Sequence, residues 1–291
     1  MASRQQIKQR IGSVKNTKQI TRAMQLVAAS KLRRAQEAVV GPSAYAKLAR
    51  EILTRLRQVA ANDSEFHLFT PRPIKHRLLI VVTSDLGLAG AYDANVLRRM
   101  IQEARADQQT HVKTSVIAIG RKAAHAAASL AGVETEGVYQ ELPDHPTADQ
   151  LRPILTTIVG LFADEKVDAV DILYTHFKST ISQNIQMQRL LPAGFEETEL
   201  PDDIAHADVD IEPSPEELLR SATLRLIEAQ IYQAYLDSVA SEHSMRMLAM
   251  KNATDNAGDL IDDLTLEYNN ARQAAITQEL AEITGGAEAM K

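Results

Sequence analysis

The sequence predicts a mixed α+β and α/β chain, in which the N- and C-terminal segments pair as a long antiparallel coiled coil and the middle forms an α/β domain. Three observations carry this. Both ends repeat apolar residues at spacings of three and four, the period of a helix face. The middle instead alternates short apolar runs with helical stretches, the pattern of a largely parallel sheet covered by helices. Aromatic residues are only 4% with no Trp, which disfavours a β-sandwich or barrel.

The first element is a helix within residues 1–60. Ile7, Ile11 and Val14 share one stripe, and Ile20, Met24 and Val27 continue it after a shift near Asn16-Thr17, a local change of winding. Gly41-Pro42 is expected to end or kink this helix. Asn62-Asp63-Ser64 and Pro71-Arg72-Pro73 mark a loop.

The central domain spans residues 74–192. Leu78 to Thr83 reads as a buried strand, followed by a Gly-containing turn from Ser84 to Tyr92 and a helix from Asp93 to Arg105. Val112 to Ile119 and Arg121 to Leu130 repeat the strand–helix unit. Thr147 to Ala163 is a third helix with Thr147 as its N-cap, Val170 to Phe177 a further strand, and Ile181 to Leu190 one more. Residues 193–213 are acidic and contain Pro, as expected of a loop or an exposed edge.

The last element covers residues 214–291. Ser214-Pro215-Glu216-Glu217 combines an N-cap Ser, Pro at the first helical position and an early Glu. Helical sequence then runs to about Thr284, before Gly285-Gly286. About 70 residues at 1.5 Å each make a rod of roughly 105 Å, which has to find partners beyond a single domain. Leu264, Tyr268, Ala271 and Ala275 form its narrow seam, and small residues such as Ala28, Ala29 and Ala275 allow close approach.

The net charge of -6 hides an asymmetry. Met1 to Gln36 carries Arg4, Lys8, Arg10, Lys15, Lys18, Arg22, Lys31, Arg33 and Arg34 with no acid, whereas the C-terminal stretch leans acidic through Asp255, Asp259, Asp262, Asp263, Glu267, Glu279 and Glu282. Such ends either meet each other or meet charged partners. Without aromatics interleaved among the basic residues, nucleic acid is not the expected partner. No apolar run approaches the roughly 20 residues of a membrane span, and the basic start lacks the apolar core of a secretory signal.

Catalytic chemistry finds little support. With no Cys, disulfides, zinc ribbons and thiol chemistry are excluded. His111, His125, His145 and His176 lie in different elements without metal-ligand spacing. Asp262 and Asp263, adjacent on a helix, point about 100° apart and cannot share a site. Gly87-Leu88-Ala89-Gly90 follows a strand and precedes a helix, but lacks the third glycine of a dinucleotide fingerprint and the Lys-Ser/Thr of a P-loop. A tight turn is the better reading. On the residues alone, a nucleotide-using enzyme built on the central domain and a static coiled-coil adaptor stay open. Stoichiometric nucleotide binding would mark the first, and paired ends without it the second.

Ile7 to Gln36 reads IKQRIGSVKNTKQITRAMQLVAASKLRRAQ. This resembles the N-terminal helix of the F-type ATP synthase gamma family, above all in SVxNTxxITxAMxxVAASKxRxAQ. Thr83 to Gly90 is similar to the family's (S/T)D-x-GL-x-G turn, although Ala89 and Ala91-Tyr92-Asp93 depart from its commoner Cys and Gly-Leu-Asn. Met245 to Glu279 and Glu282 to Ala287 resemble its C-terminal signature, so the resemblance covers the whole chain.

What the resemblance implies is a non-catalytic rotor shaft with a central Rossmann-like domain, coupling transmembrane ion flow to ATP synthesis or hydrolysis on beta subunits. The implied partners are three alpha and three beta subunits, epsilon and the membrane ring of c subunits, at the cytoplasmic face of a bacterial membrane. No cofactor or metal is implied. Arg272 and Gln273 match positions that hydrogen-bond a beta loop, with Thr277 and Glu279 in the same stretch. Met24 matches a position facing an acidic helix-turn-helix of beta, with Lys31, Arg33 and Arg34 nearby. Val209, Ile211 and Glu212 align with the region that meets the ring.

Overall fold

The computed structural model describes residues 4–59, 67–193 and 215–289. The acidic segment expected at 193–213 lies outside them, apart from Ala193, whose amide donates to the Leu68 carbonyl at 2.7 Å. The chain divides into two compact units: Met1–Ala29 with Arg246–Lys291, and Ser30–Met245.

The second unit is built on a five-stranded sheet of order β3-β2-β1-β4-β5, formed by β1 His76–Val82, β2 Lys113–Ile119, β3 Val133–Tyr139, β4 Ala169–Phe177 and β5 Gln183–Leu191. The first four strands run parallel, and β5 pairs antiparallel with β4. β1 and β2 each bury six successive residues, as central strands covered on both faces do. Helices α2 Tyr92–Gln109 and α3 Arg121–Ser129 pack Val96, Met100, Ala123 and Ala127 against Leu79, Val81, Val116, Ala118 and Leu173 on one face. Strand order reverses after β3, so the right-handed rule sends α4 Ala148–Ala163 to the opposite face. Leu78, Ile80 and Val82 point to that face by the two-residue alternation. Thr147 starts α4 with a capping box, its amide donating to Gln150 Oε1 at 2.8 Å.

β3 was not expected from the sequence. It is an edge strand with mostly exposed or half-exposed side chains, so it carries charged residues where a central strand carries apolar ones. α2 also extends to Gln109 rather than Arg105.

The long helices are α1 Arg4–Val59 and α5 Pro215–Ala289. Two expected stops are corrected. α1 runs through Gly41-Pro42, and α5 continues past Gly285-Gly286. Pro removes one backbone hydrogen bond and Gly raises the helix free energy by about 1 kcal/mol, and neither suffices to end a helix propagating from both sides.

Within the first unit the helices pair antiparallel. Thr254 Oγ1 lies 2.8 Å from Thr21 Oγ1, and Lys18 Nζ lies 2.9 Å from the point where a Cβ on Gly258 would stand. Moving back along α1 thus moves forward along α5. On α5 the buried or half-buried residues Met250, Thr254, Ala257, Ile261, Leu264, Tyr268, Ala271 and Ala275 repeat at alternating steps of four and three, an unbroken heptad seam. The four residues read from the sequence are its last four.

The α1 side requires a correction. Its seam is Ile7, Ile11, Val14, Lys18, Thr21, Gln25 and Ala28, in the same alternating steps, so there is no shift near Asn16-Thr17. Ile20 and Val27, expected in the stripe, are about 60% exposed, while Met24 is half-buried at the seam's margin. Its first half is aliphatic, through Ile7, Ile11 and Val14, whereas beyond Lys18 small or polar side chains face the partner helix and Ile20, Leu26 and Val27 face outward.

The threonine pair is one polar step in that seam. Thr21 also reaches the Lys18 carbonyl and Thr254 the Met250 carbonyl, so each hydroxyl keeps a local acceptor. Replacing both by valine removes donors and acceptors together. We expect Thr21→Val/Thr254→Val to change stability by less than about 1 kcal/mol in urea unfolding. A loss of several kcal/mol would show that the pair contributes more than packing volume.

Candidate functional site

Among the described residues, the sequence-predicted contact residues lie on the long helices, all exposed except Met24, which is half-buried. Arg272, Gln273, Thr277 and Glu279 are all exposed on α5, off the heptad seam. Thr277 Oγ1 donates to the Gln273 carbonyl at 3.0 Å, a bond internal to the helix that leaves the Arg272 guanidinium and the Gln273 amide facing outward. Leu266, Ile276, Leu280 and Ile283 are exposed in the same stretch, so the surface there is aliphatic with charges interspersed. On α1 the matching feature is Ile20, Leu26 and Val27, outside the seam.

Lys31, Arg33 and Arg34 belong to the second unit and do not behave as one group. Lys31 Nζ pairs with Asp144 at 3.0 Å in the loop between β3 and α4. Arg33 contacts Glu37 one turn along α1, and Arg34 is exposed. Asp144 also has His243 Nε2 of α5 at 3.2 Å. The hydrogen bond from His243, joined by that from Lys31, holds the Asp144 carboxyl well below the usual carboxylate range. Sequence reasoning missed this joint, because neither Asp144 nor His243 stands in a recognisable motif. Val209, Ile211 and Glu212 lie outside the described residues.

The Gly-containing turn is closed by its own carboxylates. Asp85 accepts the backbone amides of Arg121 at 2.9 Å and Glu141 at 2.8 Å, which ties the turn to the start of α3. Asp93 accepts the Ser84 amide at 2.9 Å and its hydroxyl at 2.7 Å. Leu88 and Gly90 both take positive φ, at 65° and 59°, as a tight turn demands. These bonds favour the tight turn over a nucleotide cradle.

The titratable groups elsewhere serve the fold. His176 Nδ1 lies 2.7 Å from Asp237 Oδ2, and burial raises the Asp237 carboxyl even though that contact opposes the shift. Burial likewise pushes up the Tyr235 phenol, whose hydroxyl donates to the Leu142 and Pro143 carbonyls at 3.1 Å each. Among the described residues no cluster of His, Asp and Glu could hold a metal ion, and no helix is long and apolar enough to cross a membrane.

One unit pairs two long helices and the other is an α/β sheet unit, and comparison with known proteins shows the family. The family model described as ATP synthase matches residues 3–290. The ATP synthase gamma chain of Stenotrophomonas maltophilia is 38% identical over 292 residues, covering 100% of both chains. The chain belongs to the ATP synthase gamma family. The gamma chain of Xanthomonas oryzae pv. oryzae is 39% identical over the same full span. Solved structures share the gamma fold at greater distance. A chain of the Euglena gracilis mitochondrial ATP synthase has a TM-score of 0.65 at 17% identity, with 98% of this chain and 93% of that one covered. A chain of the Tetrahymena thermophila central stalk and c-ring has a TM-score of 0.56 at 22% identity, with 80% and 99% covered. As a gamma chain it is a non-catalytic subunit of ATP synthase.

Proposed function

We propose that this gamma chain is the rotor shaft of a membrane-attached ATP synthase and couples ion flow through a ring of c subunits to ATP synthesis or hydrolysis on beta. Its paired helices turn within three alpha and three beta subunits, and its α/β unit meets epsilon and the ring. The assembly sits at the cytoplasmic face of a bacterial membrane, where gamma is peripheral.

The observation that carries this reading is the division of apolar surface on the long helices. A self-contained coiled coil buries its aliphatic residues in its seam. Here the aliphatic seam of Ile7, Ile11 and Val14 gives way to buried Thr21 and Ala28, while Ile20, Leu26 and Val27 face outward. Exposed aliphatics with basic neighbours suit an apolar sleeve lined with acidic residues. To drive the beta subunits through different states, the shaft has to present unequal contacts to each, because equal affinity shifts no equilibrium.

In this reading Met24, Lys31, Arg33, Arg34, Arg272, Gln273, Thr277 and Glu279 contact beta, and Val209, Ile211 and Glu212 contact the ring. Arg272 offers a planar fork that can bind a carboxylate through two hydrogen bonds. Such a charged bond contributes about 1.5–3 kcal/mol. If it forms in one rotary state only, its loss changes the rate of passage. We expect Arg272→Ala to leave the complex assembled, as judged by sedimentation, while slowing steady-state ATP hydrolysis, with Arg272→Lys recovering part of the rate. Wild-type turnover for Arg272→Ala would remove this contact from the mechanism. For the reading as a whole, the test is reconstitution with alpha and beta and observation of ATP-driven rotation of this chain. A complex that hydrolyses ATP while the chain stays still would refute it.

A further inference from the structure

β1 pairs with β4 only as far as Val81 and Leu173. Two residues further along β4, Thr175 still faces Ile185 of β5 on one side, and on the other it has no strand to bond. Helix α5 supplies the missing partners. The Thr175 amide donates to Ser238 Oγ at 3.2 Å, and Ser241 Oγ donates to the Thr175 carbonyl at 3.2 Å. One turn on, Ser244 Oγ donates to the Thr180 carbonyl at 2.8 Å in the β4–β5 hairpin and accepts from Gln183 Nε2 at 3.3 Å. All three serines are essentially fully buried.

Their spacing of three residues follows a ridge inclined to the helix axis, so the strand lies obliquely across α5. Beside the serines, His176 Nδ1 of β4 lies 2.7 Å from Asp237 Oδ2 of α5, and the neighbouring helix residues Leu236, Val239 and Ala240 are buried and apolar. Apolar contact is non-directional and resists rotation of a helix about its own axis only weakly. Hydrogen bonds weaken steeply when bent, so three at successive positions along the ridge define one angular setting.

We infer that Ser238, Ser241 and Ser244 are positioning residues that lock the rotational setting of α5 against β4, so that twisting load on the helix passes into the sheet through hydrogen bonds. The inference rests on the rotor reading above. A shaft that carries torque needs a joint stiff to rotation, and a serine ladder on backbone atoms provides one without bulk.

The test uses the complex reconstituted with alpha and beta subunits and fixed to a surface through them. Because the chain has no cysteine, Gln108→Cys on the exposed end of α2 gives a unique point for a bead. The readout is the angular variance of the bead with the complex stalled. The variant Ser238→Ala/Ser241→Ala/Ser244→Ala should show a larger variance than wild type. Ile227→Ala, a buried apolar loss on the same helix, should lower the thermal midpoint while leaving the variance unchanged. Equal variance in wild type and the serine variant overturns the inference, and so does an equal rise in both variants, which marks general loosening. Should the triple variant fail to assemble, Ser244→Ala alone must raise the variance, and a wild-type value there overturns the inference. Absence of ATP-driven rotation in the wild-type complex is a separate result, which removes the rotor reading and this inference with it.

Discussion

Replacing Arg77 by alanine is expected to destabilise the α/β unit by about 3–5 kcal/mol, because it leaves the buried Asp107 carboxylate without a cation and Asp171 with Arg189 alone. Arg77 Nε donates to Asp171 at 2.6 Å, and one terminal nitrogen reaches Asp107 at 3.0 Å and Glu103 at 3.1 Å. Arg189 binds Asp171 from the other side, Arg99 pairs with Glu103 at 2.7 Å, and Thr114 donates to Asp107 at 2.9 Å. Three guanidiniums thus balance three carboxylates at the N-terminal end of the sheet. Burial pulls the Arg77 pKa down, but the field of Asp171 and Asp107 outweighs it, so the group stands above its ordinary value and stays charged. The measurement is urea unfolding followed by a probe in the central unit. A loss below about 1 kcal/mol would mean that water reaches Asp107 once the arginine is gone. Removing Asp171 as well should cost less than the sum of the two single losses, since the pair is coupled.

Gly120→Ala is expected to prevent folding of the same unit. Gly120 sits at φ 93° and ψ 149°, a region nearly closed to other residues and worth about 1–3 kcal/mol of strain by itself. An added Cβ would also stand 2.2 Å from the Thr83 carbonyl oxygen, inside any allowed contact. The neighbour cannot give way, because the Thr83 amide donates to the Ile119 carbonyl at 2.9 Å and its hydroxyl accepts the Ala123 amide at 2.8 Å. The expected readout is loss of soluble chain or of its cooperative transition. Gly12→Ala is the control: it lies in α1 with nothing within 4 Å of the new Cβ, and should stabilise by up to about 1 kcal/mol. A soluble, cooperatively folding Gly120→Ala chain would show that β1 and β2 can shift apart at their ends.

Most of the architecture was legible because its signals are local. The runs at Leu78 and Val112, the cap at Thr147 and the narrow seam at Leu264 each report their own element. The α1 seam is legible at Ile7, Ile11 and Val14 and illegible beyond them, for a physical reason. Hydrophobicity marks every face that avoids water, and this helix has two: one against α5 and one exposed in the chain by itself. Ile20 and Val27 belong to the second, and beyond Val14 the first is built from Thr21, Gln25 and Ala28, which carry no strong apolar signal. β3 escaped because an edge strand with charged side chains looks like a loop. Of the candidate site, the residues at Arg272 could be placed on a helix from sequence, but the diversion of Lys31 to Asp144 depends on contacts between distant segments that no local pattern encodes.

The far end of α5 has one further consequence. Its seam stops at Ala275, and from Ile276 through Gly285 every residue is exposed. A helix of that length standing alone in water would be marginal, since its first turn is costly to nucleate. Here the turn is already made by the stretch paired with α1, so the tip grows by propagation alone. Its order is therefore borrowed from the pairing below it. Loosening the pair near Ile7 should be felt as lost helicity at Ile283 well before the chain unfolds, so far-ultraviolet dichroism of such a variant would register damage at one end of the molecule by melting at the other.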